Sequence, residues 1–103
     1  PTFGRYLAWS AFPCNYWPVA PKTVPVPLSA PSANPILVVG TLRDPATPLR
    51  WAASLAKQLG SGQLLTYNGD GHTAYTRGSS CVDSAVDRYF LTGKMPKIGL
   101  TCT

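Results

Sequence analysis

Two side chains in this sequence have the types and spacing for acid–base chemistry, Asp44 and the single histidine, His72. Each follows a short apolar run. Asp44 comes after Ile36, Leu37, Val38 and Val39, by way of Gly40 to Arg43, and His72 comes after Gln63–Tyr67, by way of Asn68, Gly69, Asp70 and Gly71. If both runs are strands of one parallel sheet, both residues lie on loops at its carboxyl edge, where open α/β folds put their chemistry. A carboxylate bonded to one imidazole nitrogen fixes the tautomer, leaves the other nitrogen to act as a base, and stabilises the imidazolium that forms. That is the acid–base half of a nucleophilic triad. On residue types alone, a turn at Asp44-Pro45 and a solvated loop histidine remain the alternatives. Asp70 could compete for His72, although its short flank favours capping a turn. Arg43 could depress the Asp44 carboxylate or simply face solvent, and solvent is the reading favoured here.

The elements that must position this pair can be read around it. Ile36–Val39, with no polar alternation, suits a strand buried on both faces. Thr47 can cap a helix whose first residue is Pro48. Trp51, Ala52, Leu55, Ala56 and Leu59 give that helix its apolar recurrence, and Gly60 stops it. Gln63–Tyr67 is a second short strand. Ser80–Leu91 is a final helix with Val82, Ala85, Val86, Tyr89 and Phe90 on its apolar face and Gly93 at its end. The fold class is therefore α/β, in the order strand, helix, strand, helix. Two short parallel strands cannot by themselves cover such a strand, so the sheet is expected to be incomplete as a stand-alone unit.

Upstream, residues 3 to about 12 predict a short helix ended by Pro13. Phe3, Tyr6, Trp9, Phe12, Tyr16 and Trp17 make this region an aromatic packing face. Residues 18–35 hold Pro18, Pro21, Pro25, Pro27, Pro31 and Pro35, which forbid a helix and favour an extended connector. A proline-rich ligand for an aromatic groove lacks the flanking basic anchors it would need. The domain reading is residues 1–17 as the end of a helical cap region, 18–34 as a Pro-rich connector and 35–103 as the α/β piece.

At 103 residues the chain has room for one small domain or part of a larger one. Nine Lys and Arg stand against four Asp and no Glu, for a net charge of +5. The cations are scattered singly, so no nucleic-acid partner is read from them. No apolar run reaches the ~18–20 residues of a membrane span. No signal peptide is visible, and the chain opens on Pro1 rather than Met, which is expected of a mature or excised piece. Cys14, Cys81 and Cys102 fit neither a CxxC pair nor a zinc spacing. Cys81 and Cys102 could close a C-terminal loop, which would imply an oxidising compartment. Three buried free thiols are the alternative.

From Pro35 to Cys102 the chain resembles the C-terminal segment of α/β-hydrolase serine exopeptidases of the tripeptidyl aminopeptidase type. The resemblance is carried by Gly40-Thr41-Leu42-Arg43-Asp44-Pro45-Ala46-Thr47-Pro48, by Gly69-Asp70-Gly71-His72, and by a helix opening at Cys81. It continues through Tyr89-Phe90-Leu91, Gly93, Pro96 and Cys102, and Cys14, Trp17 and Pro18 extend it upstream. It implies that Asp44 and His72 are the triad acid and base and that Cys81–Cys102 is a structural disulfide. It further implies no metal or organic cofactor, a peptide substrate with a free amino terminus, and a secreted or cell-envelope location.

In that fold the chain order is nucleophile, acid, base, so the serine must precede Asp44. The sequence holds no G-x-S-x-G elbow; Gly60-Ser61-Gly62 and Gly78-Ser79-Ser80 do not match it. The expected protein is the C-terminal part of a secreted serine hydrolase, inert alone. Its expected partner is the upstream portion of the same hydrolase, or a second copy across the exposed sheet edge. The rival reading is a non-catalytic truncated module acting as a folding or interaction domain.

Overall fold

A computed structural model describes residues 4–10, 12–20, 24 and 26–103. Strand β1 (Ile36–Arg43) leads into helix α2 (Leu49–Leu59), strand β2 (Gly62–Asp70), helix α3 (Ser80–Thr92) and a two-residue strand β3 (Thr101–Cys102). A short helix α1 (Gly4–Ser10) and a 3₁₀ turn (Phe12–Tyr16) precede them. The three strands form one parallel sheet in the order β1-β2-β3. The strand-helix-strand-helix order matches the sequence reading, and β3 is an addition to it. The outer edge of β1 has no partner strand among the described residues, so the sheet is partial.

Alternation along the strands sends successive side chains to opposite faces, and each face is covered by one helix. On one face Gly40 lies directly beneath α2, and a Cβ there would come within 2.7 Å of Leu49 Cδ1 and 2.9 Å of Ala52 Cβ. The missing side chain is what lets helix and strand approach this closely. On the other face Leu65, Ala74, Val82, Val86 and Cys102 form the buried core, flanked by Leu37, Val39 and Tyr67. Burying each such aliphatic side chain contributes roughly 1.5–3 kcal/mol. Helix α3 starts where Ser79 Oγ accepts from the Val82 amide and ends where the Gly93 N–H donates to Tyr89 O. The Cys81–Cys102 disulfide ties α3 to β3 with a Cα–Cα distance of 5.6 Å.

Three local expectations are corrected. Thr47 does not cap α2: the helix begins at Leu49, Pro48 takes the cap position without a side-chain bond, and the Thr47 hydroxyl turns back to Asp44. The second strand runs on to Asp70 because its pairing with β1 continues beyond Tyr67. The described aromatic residues near the N-terminus meet one another and do not pack on the sheet. Trp9 and Phe12 meet edge to face at 5.2 Å, Phe12 and Tyr16 at 5.1 Å, and all three remain exposed. Phe3 and the side chain of Tyr6 lie outside the described residues, as do Pro21 and Pro25. The connector is docked at its far end, where Ala30 N donates to Leu59 O at 3.0 Å and Ser61 Oγ to Ala30 O at 2.9 Å. Cys14 is a free, exposed thiol. No described helix is long and apolar enough to cross a membrane.

Candidate active site

Asp44 leaves the carboxyl end of β1 and His72 leaves the carboxyl end of β2, adjacent strands of the sheet. Pairing of the strands brings the loops together. His72 Nδ1 stands 3.0 Å from Asp44 Oδ2 and 3.2 Å from Oδ1. With the ring proton on Nδ1 donated to the carboxylate, Nε2 keeps its lone pair for a substrate. The Asp44 side chain is only 4% exposed, whereas that of His72 is 53% exposed. The carboxylate is shielded and the ring is accessible.

Asp44 is also held by its own loop. Oδ1 accepts from the backbone amides of Ala46 and Thr47, each at 2.8 Å, and Oδ2 accepts from Thr47 Oγ1 at 2.8 Å. The Thr47 amide is the main cause that holds this carboxyl well below the usual carboxylate range. The Ala46 amide, His72 and the Thr47 hydroxyl add to it, against the opposing effect of desolvation. Donors aimed at the charged form stabilise it, so Asp44 is an anion at any physiological pH. Thr47 Oγ1 also lies 3.4 Å from His72 Nδ1. Thr47 is therefore a site residue that sequence reasoning took for a helix cap. Its signal was the Asp-x-x-Thr spacing, which suits a side chain folding back on its own turn.

Arg43 neither acts on Asp44 nor points freely into solvent. Its Nε donates to Asp70 Oδ1 at 2.6 Å, Nη2 to Asp70 Oδ2 at 3.1 Å, and Nη1 to Asn68 Oδ1 at 3.0 Å. Asp70 is thereby engaged away from His72 and caps no turn. The pair raises the Arg43 pKa and lowers that of Asp70. Directly after His72, Thr73 has φ of 70°, in the left-handed region that a β-branched side chain rarely adopts. Nothing in the residue type announces that conformation.

Beside Asp44, a cavity of about 400 Å³ opens along the outer edge of β1. Val38 and Thr41 of β1, Trp51 and Leu55 of α2, and Tyr75 are among its lining residues. Thr41 is 2% exposed, and its hydroxyl has no hydrogen-bond partner among the described residues. Trp51 remains 54% exposed on the rim. Among the described residues no group of three or more His, Cys, Asp or Glu gathers to hold a metal ion.

A parallel sheet with a helix on each face, and a carboxylate–imidazole pair on the loops leaving two adjacent strands, is the architecture of an α/β hydrolase. Comparison with known proteins gives the narrower class. The chain belongs to the TAP-like protein family of α/β hydrolases, whose model matches residues 1–102. It is 45% identical over 89 residues to carboxylesterase B of Mycobacterium tuberculosis, covering 86% of this chain and 17% of that protein. It is 44% identical over 89 residues to serine protease Hip1 of the same organism, with the same shares covered. It is 33% identical over 99 residues to the tripeptidyl aminopeptidase of Streptomyces lividans, covering 92% of this chain and 18% of the relative. The chain thus spans less than a fifth of the length of the curated relatives it matches.

Proposed function

We propose that this chain is the C-terminal part of an exported serine hydrolase, secreted or held in the cell envelope, that releases short peptides from free amino termini. Asp44 is its triad acid and His72 its base, and a serine on an upstream portion is the nucleophile. The reading rests above all on the 3.0 Å approach of His72 Nδ1 to an anionic, desolvated Asp44. In the complete enzyme His72 Nε2 takes the serine proton as the serine attacks the scissile carbonyl. It then delivers that proton to the leaving amine, and Asp44 stabilises the imidazolium between the two steps. Water, activated by the same ring, releases the acyl group. Residues 1–17 end a cap region, 18–34 connect it, and 35–103 carry the acid and base.

The upstream portion docks along the outer edge of β1. The open cavity there, its apolar lining and the Thr41 hydroxyl, unpartnered among the described residues, support this. Ester scission by the same proton route is a second reading, favoured by the relative named carboxylesterase B.

The test supplies the upstream portion as a separate polypeptide and follows hydrolysis of a tripeptide anilide with a free amino terminus and of a nitrophenyl ester. His72→Ala and Asp44→Ala should each lower kcat by about 10³-fold or more. A fluorophosphonate probe should label the upstream polypeptide and leave this chain unlabelled. Turnover near the wild-type level in both variants overturns the assignment. Wild-type turnover of the ester alone transfers it to the second reading, and no turnover with either substrate favours a non-catalytic module.

A further inference from the structure

We propose that Arg43 and Asp70 form a clamp that holds a bulge in β2 and so delivers His72 to Asp44, which makes them positioning residues for the acid–base pair. This inference rests on the reading of Asp44 and His72 given above. The two strands run in plain register from Ile36 opposite Gly62 to Thr41 opposite Tyr67. The register then shifts, and Arg43 lies opposite Asp70. Two residues of β1 are thus matched by three of β2, and the extra residue lies in β2. Without the shift the ladder would carry His72 to the level of Ala46. With it, His72 falls one residue back, to the level of Pro45. One residue of strand is about 3.3 Å, comparable to the whole length of the His72–Asp44 hydrogen bond. Bulges next to active sites re-aim side chains in this way, and they are uncommon in parallel pairs.

The guanidinium of Arg43 grips both residues that flank Gly69. Two of its nitrogens bind the Asp70 carboxylate and a third binds Asn68 Oδ1. Gly71 N donates to Arg43 O at 3.4 Å just beyond. Gly69 itself lies under the Tyr67 ring, which would overlap any Cβ there. The Arg43 and Asp70 side chains are 49% and 80% exposed, so they bury little and add little to the core. What they supply is geometry, because a planar guanidinium fork can bind the Asp70 carboxylate with two nitrogens and Asn68 with a third, whereas a lysine ammonium is a single point of charge.

The single histidine makes the test direct, since its ring nitrogens give one set of signals in the 103-residue chain. In ¹⁵N-detected spectra the wild-type chain should show the proton held on Nδ1. Asp70→Asn, Arg43→Gln and Arg43→Lys should each shift His72 toward a mixture of tautomers, while the thermal midpoint moves by no more than a few degrees. The charge-reversed double variant Arg43→Asp/Asp70→Arg should restore part of the Nδ1 signal. In the enzyme completed with its upstream portion, the single variants should lower kcat about tenfold with KM within twofold, as expected for a mis-aimed base. Unchanged His72 signals and unchanged kcat in all three single variants overturn the clamp even where His72→Ala abolishes turnover. If His72→Ala leaves turnover intact the parent reading fails, and the spectra of the isolated chain still decide the clamp.

Discussion

Replacing Asp44 by Asn separates a carboxylate that merely fits its loop from one that sets the state of the histidine. The carboxylate accepts from four donors and donates nothing: two backbone amides on Oδ1, and the Thr47 hydroxyl and His72 Nδ1 on Oδ2. An asparagine must divide these roles. Its carbonyl oxygen takes the two amides, which cannot be reversed, and its NH₂ then faces Thr47 and His72. The hydroxyl can rotate to accept. The imidazole can accept only by moving its proton to Nε2, the nitrogen that should have been the base. The fold survives and the tautomer is wrong. Where this substitution leaves triad geometry intact, kcat falls by about 10⁴-fold, and a loss of that order is expected here in the completed enzyme, with KM little changed. The assay is steady-state hydrolysis together with ¹⁵N spectra of His72, which should show the proton transferred to Nε2. An Asp44→Asn protein that retains the Nδ1 proton, or turns over within tenfold of wild type, refutes the reasoning.

Further outcomes follow from the packing and the charges. Leu65 is fully buried in the middle strand among Val82, Val86 and Cys102. Leu65→Ala should cost about 2–5 kcal/mol, read as a fall in the urea midpoint. Cys81 and Cys102 close a loop of 21 residues, so Cys102→Ala or reduction should cost roughly 3 kcal/mol in the chain-entropy model and lower the melting temperature without changing far-UV circular dichroism at 20 °C. Asp44 and Asp70 both have folded pKa values below the ordinary 3.8. On acidification the unfolded chain therefore binds these protons first. Their contribution is complete above that value and is lost as pH falls through the lower folded values. Urea midpoints should drop between pH 5 and pH 2, and the drop should be shallower in the Asp44→Asn chain.

The strongest elements could be read from the sequence because a single physical demand fixed each of them. Ile36–Val39 has only aliphatic side chains and cannot rest on a one-sided sheet, and the structure puts α2 and α3 on its two faces. Asp44 and His72 meet because residues leaving adjacent parallel strands at the same edge have little choice. The missed features depend on tertiary partners that leave no periodic mark. Thr101 and Cys102 are too few to show a pattern, and they become a strand only because Thr66 N donates to Leu100 O and the disulfide holds them there. Thr47 before Pro48 reads as a cap, and what draws it away is a carboxylate three residues back. The register shift around Gly69 breaks no hydrophobic rhythm, so Asp70 reads as a turn residue when it is half of an ion pair.

The backbone at Thr73 has one more consequence. A threonine in the left-handed region costs of order 1–3 kcal/mol that a glycine there would not incur, so Thr73→Gly removes that penalty while giving the adjacent imidazole more freedom to wander. The chain should then resist denaturant at least as well as the parent while its base fires less often. Robustness and aim would have been set against each other at a single peptide unit, with the native residue favouring aim.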